Sequence, residues 1–319
     1  MKKILFALCA VAALASCTNS EVVNLDQEAI TFDGAFVDNA TKAASDTFTI
    51  DLARLQNEGF KVWTTTQRPD SNEIVPILAG ESVAYTNGNW GYAEASTQYW
   101  IPGNTYNFVA LVNANVLPAD VVNGLPNSFK YDAANQVDLL YAKDTRVGVQ
   151  SGNAAVSFTF NHLLSKAYFT VKTQNMSGKN PNYTYRITGV KVAGLGQEAV
   201  CNVAGSAPVW EAPTEHYTVE FGNVNSGAKL EADKTYTSDY ARLVIPADYN
   251  AITINFTIET LYGDKVIDSR AYNKSIPQKF LRNYEYNFVL ELGDPGDEIK
   301  FTVNKVEGWK QDSASIPSI

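Results

Sequence analysis

The chain of 319 residues has three cysteines and two histidines. Once Cys9 and Cys17 are set aside, the single remaining thiol cannot make an internal disulfide or a cysteine metal cluster. Cys9 and Cys17 lie near the start, so Cys201 is the one thiol left for the body of the protein. In the strand-like stretch Ala199-Val200-Cys201-Asn202-Val203 it reads as a small buried hydrophobe. His162 closes an apolar strand and reads as a satisfied core histidine, and His216 sits in a polar loop. Basic residues are outnumbered 25 to 34 by acidic ones, which argues against nucleic acid and against a basic patch for anionic lipid. There is no Gly-x-Ser-x-Gly elbow, no phosphate-cradling glycine loop and no His-Glu-x-x-His. Asp294, Asp297 and Glu298 share one turn and read as an exposed acidic turn rather than a cation site. Carboxylates are plentiful, but nothing selects a catalytic pair. The expectation is therefore no catalytic residue, no metal and no cofactor.

Long apolar runs are also missing. Ile4 to Leu14 is the main one, well short of the roughly 20 residues that cross a bilayer. It follows Lys2 and Lys3 and ends in Leu14-Ala15-Ser16-Cys17, the form of a secretory leader. The cysteine at the cut resembles that of a bacterial lipoprotein signal. The resemblance implies removal of residues 1–16 and acylation (palmitate-class chains) of Cys17, which becomes the new N-terminus. Acyl chains contribute about 0.8 kcal/mol per buried CH2, so several of them anchor a protein firmly. The remaining length suits two domains.

What is abundant is Tyr, Phe, Val, Thr and Asn in alternating runs. Phe60–Thr64, Tyr106–Val112, Val156–Phe160, Ala167–Val171, Ala241–Ile245, Ile252–Leu261, Tyr284–Leu292 and Ile299–Val303 all alternate, placing one face on a core and one in water. Turn signals separate them, among them Asn87-Gly88-Asn89, Pro102-Gly103-Asn104 and Tyr262-Gly263-Asp264. Only Pro118–Gly124 hints at a short helix. The chain reads as all-β, built of sandwiches. Tyr106-Asn107-Phe108-Val109 recurs as Tyr286-Asn287-Phe288-Val289, an echo that fits two like halves. The polar stretch Val147–Asn153 marks the expected boundary, giving domains at 43–150 and 151–319 after an N-terminal segment 17–42.

Several segments, in order, resemble the fimbrillin family, the lipoprotein pilins of type V fimbriae. They are Ala29-Ile30-Thr31-Phe32, Ala40-Thr41-Lys42-Ala43, Asn89-Trp90-Gly91-Tyr92, Tyr99-Trp100-Ile101-Pro102, Asp138-Leu139-Leu140-Tyr141-Ala142 and Phe160-Asn161-His162-Leu163-Leu164-Ser165-Lys166. Ile101 interrupts the Trp-Pro pair usual in the family. The resemblance implies two tandem transthyretin-like β-sandwiches at the outer membrane and in the fimbrium, on the cell surface. It also implies a mechanism: a protease cuts after a basic residue, here between Lys42 and Ala43, and the strand ahead of it leaves. A strand of another fimbrial subunit then fills the slot.

Ile30, Phe32 and Phe36 share one parity of that removable strand, so burying all three is worth roughly 5–9 kcal/mol. Arg54, inside an ordered-looking Ile50–Leu55, is the less accessible cut. The tail Lys310–Ile319 is short, holds Pro317 and has only Ala314, Ile316 and Ile319 as apolar residues, which points to a tip or accessory subunit rather than a stalk pilin. Asp312-Ser313-Ala314 resembles a bacterial O-glycosylation signal, with Ser313 as acceptor. A second reading remains open at this point: a non-polymerising surface lipoprotein that holds a host glycan or protein on Trp90, Tyr92, Tyr99 and Trp100.

Overall fold

The computed structural model describes residues 28–37, 48–174, 182–293, 299–307 and 314–315. Strands dominate it, as the alternating runs require.

The first half of the chain supplies β1 (Phe32–Val37), β2 (Phe60–Gln67), β3 (Ile74–Thr86), β4 (Asn89–Gly91) and β5 (Thr105–Val112). Short strands β6 (Val121–Val122), β7 (Leu125–Pro126) and β8 (Ser128–Asp132) follow, then β9 (Leu140–Val147) and β10 (Val156–His162). Seven of these close into a barrel in the order β1-β10-β9-β5-β2-β3-β4. Two strands turn its corners, as strands that switch layers do. β3 pairs with β2 and then, over Ala84–Thr86, with β4. β10 gives Val156–Phe160 to β1 and Asn161–His162 to β9. The interior is aromatic, with Phe60, Trp90, Trp100, Tyr106, Phe108, Phe158 and Phe160 all buried.

Among the described residues one α-helix forms, α1 (Leu52–Glu58), and its fully buried Leu55 joins this core. Asp51 caps it by accepting from the Arg54 N–H at 2.9 Å. Gly59 stops it at φ 72°, where a Cβ would meet the Val83 carbonyl at 2.5 Å. The helix expected near Pro118 is a single 3-10 turn, Pro118–Asp120. The apolar pair Val121–Val122 then hairpins onto Leu125–Pro126 instead of continuing a helix.

The second half supplies β11 (Ser165–Thr173), β12 (Tyr183–Asn202), β13 (Val209–Trp210), β14 (Glu215–Gly222), β15 (Thr235–Thr237) and β16 (Arg242–Val244). Then come β17 (Asp248–Tyr262), β18 (Lys265–Lys279), β19 (Tyr284–Leu292), β20 (Lys300–Glu307) and β21 (Ala314–Ser315). They form two facing sheets. One runs β15-β11-β19-β20-β21 with β16 also on β11; the other runs β13-β12-β17-β18 with β14 and β8 also on β12. Phe169 stacks on Phe288 within the first sheet and meets Phe221 of the other at 5.0 Å.

A third apolar cluster lies between barrel and sandwich. Trp63, Leu111 and Tyr141 come from the barrel, Phe129 from β8, and Cys201 from β12. Burial pushes the Cys201 thiol up to about 12.

The loop expected to divide the chain near 150 lies between β9 and β10, and both are barrel strands. Pairing passes from barrel to sandwich at Leu163–Leu164, while β8, earlier in sequence, already pairs with β12. Glycine and polar residues mark a loop, but hydrogen bonding decides which unit a strand joins. The sequence echo has a shared geometry. Tyr106 Oη accepts from the Ile101 N–H at 2.7 Å and Tyr286 Oη from the Leu281 N–H at 2.8 Å. Each ring also sits 4.7 Å from an aromatic neighbour, Trp100 in one case and Phe280 in the other.

Candidate functional site: the seat of the first strand

β1 has little sequence contact with its surroundings and much spatial contact. It runs parallel to β10, Phe32 opposite Val156 and Val37 opposite Phe160, and touches β4 where Phe32 faces Trp90. Main-chain bonds extend the seat upstream. The Ile30 N–H donates to the Gln98 carbonyl at 2.8 Å, the Trp100 N–H to the Glu28 carbonyl at 2.9 Å, and the Val156 N–H to the Thr31 carbonyl at 2.8 Å. Tyr92 Oη donates to the Ile30 carbonyl at 2.9 Å and accepts from the Gln98 N–H at 3.2 Å.

Ile30 and Phe32 point into the barrel, 1% and 4% exposed. Phe32 packs on Phe60, Tyr92 and Phe158 with ring centroids 5.6–6.0 Å away. Phe36 does not follow them: it is 57% exposed. The register slips between Phe32 and Gly34, so Asp33 is an extra residue on β1. A bulge of one residue reverses the parity downstream. Ala35, 4% exposed, takes the inward place and Phe36 turns to solvent. Asp33 itself, facing out, accepts from Ser157 Oγ at 2.6 Å.

At the upstream end the Glu28 carboxylate sits in a small cradle. Oε1 accepts from the Gly152 N–H at 2.6 Å, and Oε2 accepts from the Asn153 N–H at 2.7 Å and from Asn153 Nδ2 at 2.8 Å. Those bonds, led by the one from Gly152, hold its carboxyl below the usual carboxylate range. Asn153 also braces the loop, donating to the Val149 carbonyl and accepting from the Val149 N–H, both at 2.8 Å. Glu28 escaped the sequence reading because its partners lie 124 and 125 residues away and carry no motif.

The four candidate ligand aromatics sit around this seat. Trp90 and Trp100 are 7% and 4% exposed and belong to the barrel core, so they present no face to a ligand, which removes them from the second, ligand-holding reading. Tyr92 is half-buried and committed to Ile30 and Gln98. Only Tyr99, 45% exposed, faces solvent, while its backbone bridges to Ala29. Cys17, Lys42, Ala43 and Ser313 lie outside the described residues. Arg54 is inside α1, paired with Glu58 at 2.5 Å.

His162 is fully buried, its Nδ1 2.8 Å from Asp138 Oδ2, which also accepts from the Ile50 N–H at 3.0 Å. That arrangement ties the chain ahead of α1 to β10 and has no opening to solvent. His216 is exposed. Among the described residues no group of His, Cys, Asp and Glu is arranged to hold a metal ion.

A model of the fimbrillin-like family matches residues 41–309. The chain belongs to the fimbrillin-like family. This is a family of fimbrial structural proteins, not of enzymes. The match begins after β1. Three solved structures share the fold of this fimbrillin-like chain. A fimbrial protein from Bacteroides vulgatus superposes with a TM-score of 0.63 at 15% identity, covering 88% of this chain and 99% of that one. A candidate cell adhesion protein from Bacteroides ovatus gives 0.52 at 17% identity, covering 90% and 99%. Another from Bacteroides uniformis gives 0.51 at 15%, covering 88% and 99%. No curated protein matches the chain in sequence.

Proposed function

We propose that this fimbrillin-like chain is a fimbrial subunit, in a tip or accessory position, that supports adhesion at the cell surface. It is exported as a lipoprotein, held at the outer membrane through Cys17, and assembled by strand exchange after a cut between Lys42 and Ala43. The observation that carries this reading is the seat of β1, a terminal strand sunk into the barrel core with a lone basic residue shortly downstream.

The energetics favour replacement over an empty slot. Ile30 and Phe32 together contribute about 3–6 kcal/mol of apolar burial, with Ala35 adding little. That is less than three large side chains would give, yet still comparable to a domain's whole stability of about 5–15 kcal/mol. Departure of β1 would also expose main-chain groups of β10 along Val156–Phe160, and unpaired strand edges recruit strands from other chains. Membership of the fimbrillin-like family supports the reading of the chain as a fimbrial subunit.

Brief treatment of the purified precursor with dilute trypsin tests this. The expected result is one early cut after Lys42 followed by association with other subunits or with further copies, and Lys42→Gln blocks both. A first cut elsewhere, or a cleaved protein that stays monomeric with β1 retained, overturns the reading.

A further inference from the structure

The seat of β1 holds more than apolar pockets. Its upstream end is a cradle of three N–H donors on Gly152 and Asn153, all directed at one carboxylate. Gly152 adopts φ 76°, and the loop is braced by the two bonds between Asn153 and Val149. The cradle is therefore a feature of the barrel, not of β1, and it stays behind when β1 leaves. Successive N–H groups turned to one side in this way make an anion-binding concavity. Charged acceptors strengthen such bonds roughly twofold over neutral ones.

The spacing from the cradle to the core is set by extended backbone. Glu28 is in the cradle, Ile30 and Phe32 fill the core, Asp33 is bulged out, and Ala35 returns inward.

Resting on the strand-exchange reading, we infer that the emptied slot selects its incoming strand by a carboxylate. The partner is a strand of a neighbouring subunit that carries Asp or Glu two residues ahead of its first buried apolar side chain. Its full pattern is acid-x-apolar-x-aromatic-x-x-small, running parallel to β10. The carboxylate acts as a register key. A strand shifted by one residue turns its apolar set outward, and a strand shifted by two leaves the cradle empty or faces it with an apolar group.

The experiment uses full-length protein processed by trypsin at Lys42 and two fluorescent synthetic peptides. One spans residues 26–37 and the other carries Glu28→Gln in the same span. The expected result is that both bind and that the Glu28→Gln peptide dissociates roughly five- to tenfold faster at low salt. That gap narrows as pH falls well below 4.5, where the Glu28 carboxyl protonates and loses the charge that Gln lacks. A lost packing contact would show no such pH dependence. Equal dissociation rates, or a gap indifferent to pH, overturn the carboxylate key while leaving strand exchange standing. Failure of the unaltered peptide to bind at all overturns both.

Discussion

Phe32 stacks on Phe158 with ring centroids 5.8 Å apart and planes 23° from parallel. Phe158 lies two residues beyond Val156, the register partner of Phe32, so the contact ties β1 to the inward face of β10. Phe36, four residues on from Phe32, makes no comparable contact because the Asp33 bulge turns it out. Phe32→Ala should cost about 3–5 kcal/mol and Phe36→Ala within about 0.5 kcal/mol, read from urea unfolding of the uncleaved protein. Equal costs would contradict the reversal of parity.

Glu28 gives the seat a pH dependence with a definite sign. Its carboxyl is held below the 4.5 of a free glutamate, first by the Gly152 N–H. A depressed carboxyl contributes stability above its unfolded value and loses it as pH falls through the folded one. Retention of β1 in trypsin-nicked protein should therefore be flat at neutral pH and weaken on acidification below 4.5. Glu28→Gln should remove the part of that loss due to this group. Release rates at a series of pH values check it.

Tyr106 and Tyr286 each satisfy a main-chain N–H five residues earlier. Tyr106→Phe and Tyr286→Phe keep the rings and delete one acceptor each, the first also losing the Tyr106 hydroxyl's donation to the Tyr99 carbonyl at 3.3 Å, so each should cost about 1–3 kcal/mol. The two lie in different apolar cores, so their costs should add in the double variant. Strong coupling between them would show that barrel and sandwich unfold through shared contacts at these corners.

Cys201, fully buried with its thiol pushed up to about 12 by burial, should resist thiol reagents at pH 8 in the native protein. It should react promptly in urea. In a background lacking Cys9 and Cys17, mass spectrometry of labelled protein separates the two cases. Rapid labelling without denaturant would mean that the cluster between barrel and sandwich opens.

Much of the architecture was legible because strands advertise themselves. Val156-Ser157-Phe158-Thr159-Phe160 alternates without a break, and its apolar members are all buried in the barrel. The echo of Tyr106 and Tyr286 was visible as four identical residues, although their shared hydrogen bond was not. Phe36 was misplaced because a bulge leaves no local mark: Asp33-Gly34 reads equally well as a turn or as two strand residues. Trp90 and Trp100 stayed open as binding aromatics beside the core role because composition cannot distinguish a core aromatic from an exposed one.

The amino-acid order alone determined the all-β class, the apolar N-terminal strand with Lys42 behind it, and the family motifs. These depend on residues near one another in the chain, where side-chain alternation and turn chemistry act directly. The tertiary structure alone decided that β1 lies parallel to β10, that Ala35 rather than Phe36 faces inward, and that Glu28 meets Gly152 and Asn153. Each of those outcomes is a contact between segments more than a hundred residues apart, set by which edges remain unpaired once the barrel closes.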